Sequence, residues 1–171
     1  MALPRVMSIT PTASVSMREF LRTGEFGPVR LGDSVESLRS IFGEPPVVGG
    51  TSRRHRAPGI WKYGDIEFHL TSDRKCVCLI FCDTFEQLQL GSAVALDRWF
   101  FEGHPPVELV ERELVSAGIG FQRHDIPHEP SAFLLRLDCG IELMFSRDSD
   151  PVMWPGVPGL FGFQYADKNA S

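Results

Sequence analysis

The sequence predicts an α+β fold: two tandem α-β-β-β units, with antiparallel sheet or sheets that carry the helices packed on one face. Three observations predict it. Helical apolar spacing, bounded by start and stop residues, occurs at 34–42 and again from Pro105 to Gly118. Each such segment is followed by two apolar runs around a glycine-containing turn, and then by one more apolar run. Landmarks in the two halves keep similar offsets, 75 residues from Ile66 to Ile141 and 82 from Phe81 to Phe163, as internal repetition requires. An amphipathic helix and a sheet with one apolar face each need a cover, and they supply it to each other.

The elements follow in order. Residues 1–12 read as a flexible N-terminal tail. Residues 13–83 form the first helix-hairpin-strand unit, led by a short helix over Ser14 to Arg22 in which Val15, Phe20 and Leu21 seal one edge. In LGDSVESLRSIFGEPP, Asp33 is placed to cap a helix over 34–42 with Glu36 three residues on. Val35, Leu38, Ile41 and Phe42 form its apolar face, and Gly43 and Pro45 stop it. In IWKYGDIEFHL, Gly64-Asp65 suits a two-residue hairpin turn. That register sets Tyr63 opposite Ile66, Trp61 opposite Phe68, and Lys62 opposite Glu67, the last an opposite-charge cross-strand pair. A turn at Thr71 to Lys75 leads into a strand from Cys76 to Cys82, whose Val77, Leu79 and Phe81 are assigned to the core.

Residues 84–103 are a connector, in which FEQLQL suits a further strand and VALDRWFFEG a short helix or turn. Residues 104–167 form the second helix-hairpin-strand unit. Its helix, of about 12 residues, carries the stripe Val107, Val110, Leu114 and Ala117 and ends at Gly118. In FLLRLDCGIELMF the turn Asp138-Cys139-Gly140 sets Leu137 opposite Ile141, Leu135 opposite Leu143 and Arg136 opposite Glu142. A polar loop, SRDSDPVMWPGVPG, leads into LFGFQYAD, the counterpart of CLIFCD, and 168–171 are a C-terminal tail.

The string GPVRLGDSVESLRSIFGEPP followed by IWKYGDIEFHL resembles the small lipoprotein of the bacterial outer-membrane assembly machine, the BamE-like group: a glycine before a capped helix, a Leu-Gly-x-Pro-like exit, then an aromatic-rich hairpin. As a tandem of two such units the chain is also similar to the β-lactamase inhibitor proteins. The resemblance covers about 60 residues per unit and implies a fold that binds other proteins and has no catalytic residues to carry over. The chain departs from both groups in its cysteines: the first is Cys76, too late for lipid attachment, and no matching pair falls in each unit.

Composition narrows the function classes. With 43% apolar and 23% charged residues the chain matches soluble globular proteins. Its formal charge of -5, from 17 basic and 22 acidic residues, gives no overall field that favours nucleic acid or an anionic membrane. No apolar run approaches the length of a membrane span, and the N-terminal residues lack a signal-type apolar stretch. The expectation is a cytoplasmic protein whose four cysteines are reduced.

Candidate chemistry is sparse. Cys76, Cys78 and Cys82 alternate with apolar residues, which suits a strand better than a zinc site, where about four ligands must converge. HDIPHEP gathers His124, Asp125, His128 and Glu129, but Pro127 breaks the helix that would align the two imidazoles, so the segment reads as a solvated loop joining strands. Glu67 and Glu142 are either a carboxylate pair assembled in space or, with Lys62 and Arg136 opposite them, two ion pairs. No Gly-x-Ser-x-Gly elbow or phosphate loop is present. No catalytic, metal-binding or cofactor-binding residue is assigned, and no cofactor is predicted.

Interaction candidates are the basic residues Arg53, Arg54 and Arg56, whose stretch reads first as a solvated loop and after that as suited to an acidic protein surface or, with Trp61 and Tyr63, to single-stranded nucleic acid, and the aromatics Trp99, Phe100, Phe101 and Trp154. Large aromatics in connections either serve an interface or plug the gap between the units. The functional expectation is a non-enzymatic protein-binding module of bacterial type, an inhibitor or immunity-type protein, with one protein partner, no nucleic acid and no membrane. Two alternatives stand beside it: a small enzyme or ligand-binding domain with a pocket between the units lined by His124, His128 and Glu67, and a structural subunit whose sheet edges pair into a homodimer.

Overall fold

The computed structural model describes residues 13–50, 59–83, 87–91, 94–147 and 159–167. Two hairpins with short, sequence-local turns organise it. Between β3 (Ile60–Tyr63) and β4 (Ile66–Leu70), Gly64 adopts φ +63°, and a Cβ there would stand 2.5 Å from the Gln89 carbonyl oxygen, so the turn requires glycine. The predicted register forms, with Tyr63 opposite Ile66, Trp61 opposite Phe68 and Lys62 opposite Glu67. Gly140, at φ +96°, closes the turn between β8 (Glu129–Leu137) and β9 (Glu142–Ser146). There Leu135 faces Leu143 and Arg136 faces Glu142, again as the residue types predict.

These hairpins lie in one antiparallel sheet of eight strands. The others are β2 (Val47–Gly49), β5 (Val77–Asp83), β7 (Phe121–Ile126) and β10 (Gly159–Ala166). The order is β2-β3-β4-β5-β10-β9-β8-β7, so that the last strand of each half meets at the centre. A separate parallel pair joins β1 (Ala13–Ser16) to β6 (Val94–Asp97). The helices are α1 (Met17–Thr23), α2 (Val35–Phe42) and α3 (Val107–Ser116).

This architecture corrects the α+β fold class of two α-β-β-β units. Of the described residues 47% are in strand and 19% in helix, so the fold is mostly β, with three short helices. Extended backbone replaces predicted helix at two places. Ser14 to Ser16 pair with β6, because the Ser16 hydroxyl accepts from the Glu19 N–H and donates to Asp97 Oδ2 at 3.0 Å, which makes it the N-cap of α1. Val94–Asp97, expected as helix or turn, is the other strand of that pair. Extra strands also lengthen the sheet at both ends. HDIPHEP is the tip of a β7–β8 hairpin rather than a loop, with Pro127 and His128 as its two turn residues and Ile126 opposite Glu129. His128 takes φ +67°, which after proline fits a type II turn. The cap of α2 is Ser34, whose Oγ accepts from the Ser37 N–H at 3.2 Å. Asp33 instead accepts from the Arg30 N–H at 2.8 Å.

The cysteine-bearing strand departs from the alternation assigned to it. Val77 lies opposite Leu70 but Leu79 lies opposite His69, which leaves Cys78 as an extra residue in a bulge. A bulge reverses the in-out phase beyond it. Val77, Ile80 and Cys82 therefore point into the core, while Leu79 and Phe81, expected there, are half-buried on the other face.

One core holds all three helices against one face of the sheet. A path of aromatic contacts crosses it. Phe42 of α2 packs on Phe68 at 5.4 Å, Phe68 on Phe26 at 5.8 Å, Phe26 on Phe20 at 5.1 Å, and Phe20 of α1 on Phe163 of β10 at 5.6 Å. Val110 and Leu114 of α3 are fully buried in the same cluster. Tyr63 is 2% exposed, and its hydroxyl donates to the Gly43 carbonyl at 2.8 Å, fixing the exit of α2. Burial, with the Glu44 charge nearby, pushes its pKa up to about 12. Because the folded value lies above the usual 10.0, the fold favours the neutral phenol, whose stabilisation is complete below pH 10 and is lost as pH rises towards about 12. Tyr63→Phe should cost about 0.5–1.5 kcal/mol near neutral pH. It should also flatten the loss of stability between these two pH values, as measured by urea unfolding across that range.

Candidate functional site

Strand alternation decides which side chains occupy the face of the sheet that no described helix covers. A row runs straight across the sheet through Lys62, Glu67, Phe81, Gln164, Glu142 and Arg136, each opposite the next. Phe81 and Gln164 occupy its centre, where β5 meets β10. The neighbouring rows add Leu79 opposite His69 on one side, and Met144 opposite Leu134 on the other. Leu79, Phe81, Leu134 and Met144 are half-buried and none packs against the core cluster. At one corner of this face Ala132 and Ser146 are buried.

The polar groups beside these apolar side chains are already satisfied. Glu67 takes Lys62 Nζ at 3.2 Å and His69 Nε2 at 3.1 Å. Glu142 takes Arg136 at 2.7 Å and the Gln164 amide at 2.6 Å. Their carboxylates are 20% and 17% exposed. The His69 ring also meets Phe81 edge-on at 5.9 Å. Glu67 and Glu142 are thus ion-paired, and three strand spacings part them, about 14 Å, too far to share a proton or flank one bond.

The pocket expected between the units does not form from its named residues. His124 and His128 belong to the β7–β8 hairpin and Glu67 to β4, five strand spacings away, about 24 Å. The His124 Nε2 is buried without a hydrogen-bond partner among the described residues. Among those residues no group of three or more His, Cys, Asp or Glu side chains is placed to hold a metal ion.

The interaction candidates are dispersed. Arg53, Arg54, Arg56 and Trp154, with His55, lie outside the described residues. Phe100 and Phe101 are 8% and 0% exposed, stacked on each other at 4.8 Å, and Phe101 meets Phe163 at 5.7 Å. Trp99 is half-buried against the core, and its indole N–H donates to Glu113 Oε2 at 3.1 Å. These three aromatics join α1, α3 and β10 into the core. The open-face residues were missed for opposite reasons. Leu79 and Phe81 look like core in an uninterrupted alternation. Leu134 and Met144 are legible, since Leu135 and Leu143 facing inward leaves their neighbours facing outward.

The cysteines are free thiols in the structure. Cys78 Sγ donates to the His69 carbonyl at 3.4 Å, and Cys139 Sγ to the Leu21 carbonyl at 3.2 Å. Burial raises the pKa of Cys78 and Cys139 and raises that of Cys82 furthest, which disfavours the thiolate that a nucleophile or metal ligand needs. Among the described residues no helix is long and apolar enough to cross a membrane. Comparison with protein-family models, curated proteins and solved structures finds no match for the chain. With a maleimide at pH 7, Cys82 should stay unlabelled in the folded protein and become labelled only in denaturant, read by peptide mass spectrometry. Rapid native labelling of Cys82 would contradict the placement of its thiol inside the core.

Proposed function

We propose that the chain is a non-enzymatic protein-binding module, and that the open face of the eight-stranded sheet is the surface it presents. One observation carries this reading: half-buried Leu79 and Phe81 on β5, and Met144 and Leu134 across β10 on β9 and β8, give that face apolar side chains outside the core cluster, beside ion pairs that need no further partner. Large exposed apolar patches rimmed by polar groups are characteristic of interaction sites. The sequence resemblance to BamE-like and β-lactamase-inhibitor proteins supports the same class. A formal charge of -5 favours a partner with a basic surface, and an inhibitor or immunity-type role in the cytoplasm is the form of the reading that this acidity and the free thiols suit.

The test compares two variants for binding to a stoichiometric partner recovered by crosslinking. Phe81→Glu places a charge at the centre of that face, and Val115→Glu places one on α3, where Val115 is 69% exposed on the other side of the molecule. Phe81→Glu should weaken binding by roughly 30-fold or more, as loss of a central anchor does, in a protein that still unfolds cooperatively with a stability loss of about 1 kcal/mol from the like charge set opposite Glu67, while Val115→Glu binds as the parent does. Equal binding by both variants, or no stoichiometric partner, would overturn the reading.

A second reading rests on the edge strand β2. Val47 and Val48 are 56% and 50% exposed there, and the outer side of β2 pairs with no other described strand. Such an edge is open to pairing with another chain, which favours a homodimer joined through two β2 strands. Light scattering should then give a dimer that Val48→Lys returns to monomer. A monomer at millimolar concentration removes this reading.

A further inference from the structure

A cleft of about 390 Å³ opens on the helix-covered side of the sheet, where the start of α3 meets the ends of β8 and β9 and the edge strand β7. It lies on the face opposite Leu134 and Met144, and Phe81 is on a different strand, β5. Pro106 and Val107 form its apolar wall, and beneath it the Phe133 and Phe145 rings, 3% and 0% exposed, stack at 5.1 Å and 10°. Two guanidinium groups stand over one of these rings. The Arg123 Cζ lies 3.7 Å from the Phe133 centroid and that of Arg147 lies 5.4 Å from it.

The two cations are not equally satisfied. Arg147 ion-pairs with Asp125. Arg123, exposed on β7, has no carboxylate partner among the described residues. Glu108 lines the rim but pairs with neither arginine. The Phe133 ring holds Arg123 by a cation-π contact, which leaves its planar fork of N–H donors available. Volume, apolar wall and a few convergent polar groups together match the usual makeup of small-ligand sites.

We propose that this cleft binds a small carboxylate with an aromatic or aliphatic body. Arg123 takes the carboxylate through its fork, and the body seats against Pro106 and Val107 on the wall, above the nearly closed Phe133 ring. Arg123, which no described carboxylate pairs, selects the anion, and the wall of Pro106 and Val107 selects the apolar part. A free acid and the C-terminal residue of a peptide share this chemistry, so the test includes both.

Titration calorimetry on the full chain uses 3-phenylpropionate, its primary amide, and an acetylated tripeptide ending in phenylalanine with a free or amidated C-terminus. Acid forms should bind saturably, and each amide at least roughly tenfold more weakly, the scale of one charge-assisted hydrogen bond. Arg123→Gln should cost a similar factor, and Arg123→Lys should fail to restore it in full, because an ammonium lacks the fork. Glu108→Gln should tighten binding by about two- to threefold by removing a nearby like charge. Whichever acid binds more tightly names the source of the ligand. Phe81→Glu should leave all these values unchanged, so the outcome is separate from that of the open-face test. No saturable binding by either acid, equal binding of acid and amide, or parental affinity in a folded Arg123→Gln protein would each overturn the proposal.

Discussion

The antiparallel pairing of β5 with β10 is the constraint on which the rest of the structure depends. Five residue pairs, from Asp83 with Gly162 to Leu79 with Ala166, join the strands of both halves into one sheet. Parity across this seam fixes the faces of both halves together. Ile80 meets Tyr165 and Cys82 meets Phe163 on the helix side, while Phe81 meets Gln164 on the open side. The close approach is built in at Gly162, where a Cβ would stand 2.5 Å from the Cys82 carbonyl oxygen. Because the inward row is continuous through the seam, Phe20 of α1 can pack on both Phe163 and Tyr165, and one core serves the whole sheet rather than one core each half.

Bulges adjust that parity where simple alternation would misplace a side chain. On β5 the extra residue is Cys78, and without it Val77 and Ile80 could not both face the helices. On β10 a second irregularity falls between Leu160 and Gly162, so that Leu160 and Phe163 are both buried. Both bulges lie on the two seam strands. A one-residue slip turns an entire apolar row outward, so the bulges set the register of core and open face at once. They also explain the apolar character of the open face: the phase shift on β5 sends Leu79 and Phe81 outward while Cys82 turns in.

What the sequence made legible was local. Both hairpin registers followed from a glycine turn and the residues facing across it, because a two- or three-residue connection leaves one register. Helices α2 and α3 followed from apolar spacing within one stretch of chain. The parallel pairing of β1 with β6 joins residues about 80 positions apart, and nothing in ASVS announces a strand over a helix start. β7 escaped notice because FQRHDI sits at the sheet edge and is largely polar on both faces. The candidate site divided in the same way. Ion pairing of Glu67 and Glu142 could be read from their cross-strand neighbours. The outward turn of Phe81 depends on a bulge opposite His69, a contact with no local signature. Phe100 and Phe101 looked like loop aromatics, since only the packing of α1 and β10 around them reveals that they are core.

The placement of charge on the open face bears on how it would meet a partner. Desolvating a lone carboxylate costs several kcal/mol, but Glu67 and Glu142 each hold a cation and a second donor before any partner arrives. A partner that covers this face would therefore not have to supply counterions, and the apolar contacts could act without that penalty. Phe81 lies at the seam, midway between the two ionic clusters, with four strands on either side. Binding energy concentrates in central, fully desolvated residues surrounded by near-neutral ones, and the ion pairs on both flanks form such a surround for Phe81. The same pairing that unites the core thus puts an apolar centre and a neutralised rim on the opposite face, and both come from the register of two strands.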